Sequence, residues 1–164
     1  MDIIDRFYRW ALENRWTVVL STSDQDIDIR THPILKGYSI DTGSAYWRFI
    51  NRFSRFEYED GSRWFLCGVD YRNTYESNEF AWNEFEMISL NNTIDLAQGE
   101  RIKQWWGWHL PIALSVNGEY SYWAIDLKEN VGSVVYGYEP EFEIAESVAD
   151  SFEQFLLDLM SAKQ

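Results

Sequence analysis

Apolar and polar positions alternate most regularly over residues 110–138, LPIALSVNGEYSYWAIDLKENVGSVVYGY. Alternation with period two marks strands, and this run reads as three in succession. Asn117-Gly118 between the first two is the residue pair that a two-residue type I′ hairpin requires, because both central positions take φ > 0. That turn pairs Val116 with Glu119, Leu114 with Ser121, Ile112 with Trp123 and Leu110 with Ile125. Leu110, Ile112, Leu114, Trp123, Ile125 and Leu127 then share one face of the sheet. Ala113, Ser115, Tyr120, Tyr122 and Asp126 fall on the other.

Elsewhere the spacing changes to that of helices. Asp2 can cap a first helix, with Ile3, Ile4, Phe7, Ala11 and Leu12 at helical intervals. Residues 17–21 read as a short strand, and the polar, Pro- and Gly-containing stretch 23–43 as mostly loop. A second helix is predicted over 44–55, with Tyr46, Phe49, Ile50 and Phe53 as its buried stripe. Glu59 to Ser62 is a turn; residues 63–69 and 85–90 read as strands, and 94–102 as a broken helix. The last predicted helix runs over 148–162. Ser147 and Asp150 supply a capping-box pattern, and Val148, Phe152, Phe155, Leu156 and Leu159 make a core-facing stripe about 100° wide. Strands and helices are segregated rather than alternating. The expected class is therefore α+β, a single domain over 1–164. Its antiparallel or mixed sheet of about five to six strands carries N-terminal helices and a C-terminal helix.

Composition sharpens this picture in two ways. Aromatic residues make up 18% of the chain, enough to build a core and leave some for a binding surface. The formal net charge is −13, from 27 acidic and 14 basic residues. Such a surface repels nucleic acid and anionic membrane, which need a basic footprint, and attracts basic proteins. Residues 129–164 hold eight acidic side chains against the single base Lys163, so more than half of the excess lies in the last 36 positions. Cys67 is the only cysteine, which excludes an intrachain disulfide and a Cys-based zinc site. Neither a secretory leader nor a membrane-spanning run is read, so the expected location is the cytoplasm.

Candidate chemistry is sparse. Asp24, Asp26 and Asp28 begin like a calcium loop, but Ile29 and Leu35 stand where that loop needs Gly and Glu. His32 and His109 are the only histidines; neither has metal-ligand spacing, and no Ser or Cys has a nucleophile's context. Asn91-Asn92-Thr93 matches a glycosylation acceptor, which carries no meaning without a secretory route. Trp105, Trp106 and Trp108 could stack on sugar rings, although packing under the sheet edge is the preferred reading. The acidic C-terminal portion is more informative. Glu139, Glu141 and Glu143 alternate, so in an extended segment their carboxylates face one way. Glu146, Asp150 and Glu153 would continue that ridge along the following helix.

The run I-A-x-x-x-N-G-E-Y-x-x-x-A-I-D-L over 112–127, then Gly132 and Val134-Val135-Tyr136, then a helix at Ser151-Phe152 and Phe155-Leu156, resembles the SUKH superfamily. Its members include fungal cell-wall-assembly regulators and bacterial immunity proteins against secreted toxins. Residues 46–50 and 64–66 fit that family's front half more loosely. Gly118-Glu119 replaces the usual Gly-Asp, and the usual Leu-Pro before the main helix is missing. The resemblance assigns Asn117, Gly118, Asp126 and Gly132 to the structural motif and implies no catalytic residue, cofactor or metal.

The expected function is thus non-enzymatic: an immunity protein that binds and neutralises a cognate secreted toxin, a basic nuclease being the favoured kind. Glu139, Glu141, Glu143, Glu146, Asp150 and Glu153 are the candidate partner-binding residues. A regulatory or scaffold domain without a toxin is the first alternative, and a carbohydrate-binding module the second. No nucleic-acid or membrane partner is expected, and homo-oligomerisation is left open.

Overall fold

The computed structural model describes residues 1–162, the side chain of Gln25 excepted. Its fold is α+β. Seven strands, β1 (Trp16–Leu20), β2 (Phe53–Tyr58), β3 (Arg63–Phe65), β4 (His109–Ser115), β5 (Ser121–Asp126), β6 (Val134–Tyr138) and β7 (Ala145–Ala149), form one sheet. Each pairs with its predecessor, antiparallel throughout, so the sheet is a meander in chain order. The helices are α1 (Ile3–Glu13), α2 (Ala45–Arg52), α3 (Glu84–Asn91), α4 (Leu96–Gly107) and α5 (Phe152–Ser161).

Helices cover both faces. On the first face α1, α2 and α5 bury a cluster of rings: Phe7 against Phe49 and Phe56, Phe49 against Phe152, and Phe65 and Trp123 against Phe155. On the second face α3 and α4 pack Phe85 and Trp106 onto Tyr122. With both faces dry, β4 and β5 are buried at almost every position. Tyr122 lies across Gly137, its cross-strand partner, and its hydroxyl donates to the Phe142 carbonyl.

The central hairpin keeps its predicted register at one end only. Leu110 pairs with Ile125 as expected, but beyond Pro111 the register slips by one, and Ala113 faces Trp123 while Leu114 faces Tyr122. Ile112 is the extra residue of a β-bulge. The cause is Pro111, which has no N–H to give a ladder and is tolerated inside a sheet only at such irregularities. The freed carbonyls are satisfied: Tyr71 Oη donates to Pro111 O at 2.6 Å, and the Leu66 N–H to Ile112 O at 2.8 Å. Because the side-chain period is two, the slip moves Leu114 to the second face with Tyr122 and Ala113 to the first with Trp123. It also lengthens the turn to residues 116–120. Gly118 has φ +83°, but Asn117 is not at positive φ, so the turn is not type I′.

Several boundaries also move. The segment read as a strand over 85–90 is α3, whose Phe85 stacks on Phe142 of the β6–β7 connection at 4.5 Å. The second helix stops at Arg52, and Phe53 onward enters β2, which no local pattern signalled. The broken helix over 94–102 is the continuous α4, extending to Gly107. The last predicted helix divides. Its first residues belong to β7, and the cap of α5 is Ser151, which accepts the Gln154 N–H at 3.0 Å.

Candidate binding surface around the last strand

β7 ends the sheet, so its outer edge has no strand beside it among the described residues. Its inner edge pairs Ala145 with Gly137, Glu146 with Tyr136, and Ser147 with Val135; Val148 is bulged out before Ala149 meets Val134. Side chains of the strand therefore alternate, Glu146 to the first face and Ala145 and Ser147 to the second. Each face has a concavity beside it.

On the first face a hollow of about 360 Å³ lies between Tyr136, Tyr138, Glu139, Glu141, Ile144 and Glu146. Trp123, Tyr136 and Tyr138 form a row of rings with centroids 5.1 and 5.8 Å apart, and Tyr138 is 48% exposed. Glu141 and Glu146 are exposed at its rim. Glu139 is half-buried, and its Oε1 accepts the Tyr120 N–H at 2.8 Å, which ties this rim to the β4–β5 turn.

On the second face α4 covers β4 and β5, and a groove beside it runs over Val135 to the accessible Ala145 and Ser147 of β7. The groove has a volume of about 960 Å³ and adjoins another of about 840 Å³; Arg101, Trp105, Glu143 and Ile144 line both. His109 stacks on Trp105 with centroids 3.8 Å apart, and its Nδ1 donates to the Trp105 carbonyl at 2.6 Å. Its Nε2 is left facing Asp126 Oδ1 at 3.9 Å. Burial works against the charge of Asp126, but N–H groups of Lys128, Asn130 and Glu129 and the nearby His109 outweigh it, and the carboxyl titrates below its ordinary range. Ser133 is 1% exposed, and its hydroxyl, at the inner end of the groove, has no hydrogen-bond partner.

The six predicted partner-binding carboxylates do not form one ridge. The segment from Glu139 to Ile144 is folded rather than extended, with Ile144 N–H bonded to Glu141 O and Phe142 buried against Phe85. This turns Glu143 inward, where its Oε2 accepts Trp106 Nε1 and Ser89 Oγ, each at 2.8 Å. Glu139, Glu141 and Glu146 converge on the first-face hollow. Asp150 is exposed beyond β7, and Glu153 lies in the first turn of α5 beside a separate cavity with Asp41 and Ser44. Glu86 was not singled out by the sequence. Burial, then the charge of Glu143, pushes its carboxyl up to about 7, against an opposing pull from Lys103. No sequence signal could have found it, since its segment reads as a strand and its neighbour Glu143 comes from a distant turn.

The four residues named by the resemblance divide between two turns at opposite ends of β5. Asp126 holds the turn after β5 through the N–H groups already named, and Gly132, at φ +94°, donates its N–H to Asp126 O at 2.8 Å. Asn117 and Gly118 sit at the exposed tip of the β4–β5 turn. The tryptophans divide by role. Trp106 is core, Trp105 is half-buried in the groove wall, and Trp108 is 44% exposed with Lys128 Nζ 6.0 Å above its ring. Packing under the sheet thus describes Trp106 fully and Trp105 in part, but not Trp108.

Reactive constellations are not formed by these neighbours. Ser133 is not bonded to His109, and Cys67 is buried with its thiol raised well above the usual range by that burial. His32 Nδ1 accepts the Ile34 and Leu35 N–H groups, a loop-holding role. Asp28 is tied to Arg30 rather than to Asp24 or Asp26. Among the described residues no three His, Cys, Asp or Glu side chains are grouped to hold a metal ion, and no helix is long and apolar enough to cross a membrane. The chain matches no family model, no curated protein and no solved structure.

Proposed function

We propose that this chain is a non-enzymatic immunity protein of the cytoplasm that neutralises a basic secreted toxin by stoichiometric binding. The observation that carries the reading is the convergence of Glu139, Glu141 and Glu146 on the half-buried ring of Tyr136 and the exposed ring of Tyr138, beside an open strand edge. Carboxylates next to aromatic faces suit a Lys or Arg side chain, which gains both charge pairing and a cation–π contact. A net charge of −13 adds long-range steering toward a basic partner. In this reading the carboxylates occupy the surface with which a nuclease toxin would hold phosphates. The SUKH resemblance adds the class of partner.

The scaffold alternative uses the same surface and differs only in the client. The carbohydrate alternative has less support, because one face of the Trp105 ring is already covered by His109.

The test is to look for a toxin gene beside this one and to assay inhibition of the toxin domain it encodes; absence of such a gene favours the scaffold alternative. The wild-type protein should abolish toxin activity at one equivalent. A Glu141→Lys/Glu146→Lys variant should bind at least tenfold more weakly, with slower association at low salt. Undiminished toxin activity in the presence of excess wild-type protein sinks the immunity reading.

A further inference from the structure

Three features meet at β7, and together they describe how a partner would be held. The first is the open outer edge of the strand, with its unpaired backbone groups between Ile144 and the bulge at Val148. The second is the first-face hollow of Tyr136, Tyr138, Glu141 and Glu146. The third is the second-face groove, which passes Ile144 and Ala145 below Trp105. Ile144 and Ala145 line both concavities, so the strand edge is the ridge between them.

We infer that β7 receives an extended, basic segment of a partner protein as an eighth strand, with alternate side chains entering the two concavities. The inference rests on the immunity reading and specifies its mode. Strand addition supplies backbone hydrogen bonds for affinity and alternating pockets for specificity. Period two does the sorting. Every second side chain of the added strand lies on the first face, where the carboxylates and tyrosines select Lys or Arg. The intervening side chains lie on the second face, where Ala145 and Ser147 are too small to block the way into the groove. There Trp105 and Ile144 favour an aromatic side chain.

Charge decides between partners. An exposed edge invites pairing with a second copy of itself, and charged residues on the edge oppose that. Glu146 together with Glu141 makes self-pairing repulsive while leaving a basic strand attracted. The opposite edge of the sheet lacks this bias, because nearby Arg15 and Arg55 are ion-paired with Glu59 and Glu57.

The probe is a seven-residue peptide, Lys-Tyr-Lys-Tyr-Lys-Tyr-Lys, compared with the same peptide methylated at every backbone nitrogen. Methylation keeps the charge and side chains but prevents strand pairing. Binding and amide hydrogen exchange of residues 145–147 are measured on the full chain. The expected result is that the plain peptide binds at least tenfold more tightly than its methylated form and slows exchange of β7 amides at least tenfold. A Glu146→Lys variant should lose this binding. Equal binding of both peptides with β7 exchange unchanged overturns strand addition while leaving an acidic docking surface in place. Binding of neither peptide also overturns it. The immunity reading is judged separately, by toxin inhibition, which does not involve the peptide.

Discussion

At the scale of single residues, Gly137 and Tyr122 show how closely the second face is fitted. An added Cβ at Gly137 would lie 2.6 Å from Tyr122 Cζ and 2.7 Å from Cε1. The ring cannot give way easily, since Tyr122 is fully buried and its hydroxyl is held by the Phe142 carbonyl. Gly137→Ala is therefore expected to destabilise the fold by about 1–3 kcal/mol, the usual cost of overpacking a core. A urea titration reads the loss, and a neutral result would mean that Tyr122 is freer than its contacts imply. Gly137 is legible in the sequence only as a glycine in a strand; the ring that requires it lies on the neighbouring strand.

At the scale of elements, the C-terminal segment offers a direct comparison of two caps. Local pattern favours Ser147 as the start of the last helix, while the folded chain uses Ser151. Ser151→Ala should cost about 1 kcal/mol through the lost bond to Gln154 N–H. Ser147→Ala, on the exposed edge of β7, should be close to neutral. Paired chemical denaturation of the two variants tests this, and the reverse order would return residues 147–150 to the helix. The misreading has a physical origin. Val148 lies at helical spacing from Phe152 and Phe155, but hydrogen bonding of residues 145–149 to β6 outweighs local propensity. The same competition makes α3 look like a strand, because a short apolar run carries no decisive period.

For the whole molecule, charge and burial set the response to pH. Burial raises the carboxyls of Glu86 to about 7 and of Asp70 to about 6, whereas both titrate near 4 in an unfolded chain. The folded state thus binds their protons more tightly. Their stabilising contribution is fully present below about pH 4 and disappears as pH rises through 6 and 7. His32 acts in the opposite sense. Burial lowers its titration, so it opposes folding as pH falls below about 6.5, one group against two raised carboxyls. Stability should accordingly be greater at pH 5 than at pH 8. Glu86→Gln should raise stability at pH 8 by on the order of 1 kcal/mol, discounted for partial solvation, and change little at pH 4. Urea midpoints for both proteins across this range decide it. A parallel pH dependence of wild type and variant would show that Glu86 is not a source of the effect.

The sequence by itself determined what depends on neighbours along the chain. It specified the α+β class, the first helix with its Asp2 cap, the buried stripe of α2 and the three strands β4 to β6, because spacing and caps act over a few residues. It also carried the signal of the bulge, in Pro111, since a missing N–H is a property of one residue. Tertiary structure decided what depends on residues far apart. The bulge exchanged the faces of Ala113 and Leu114, β7 was drawn out of an apparent helix, and Glu143 was turned inward by Ser89 and Trp106. The candidate surface belongs to this second class. Its carboxylates, tyrosines and open edge meet only because the sheet ends at β7, and where a sheet ends is fixed by long-range pairing rather than by local pattern.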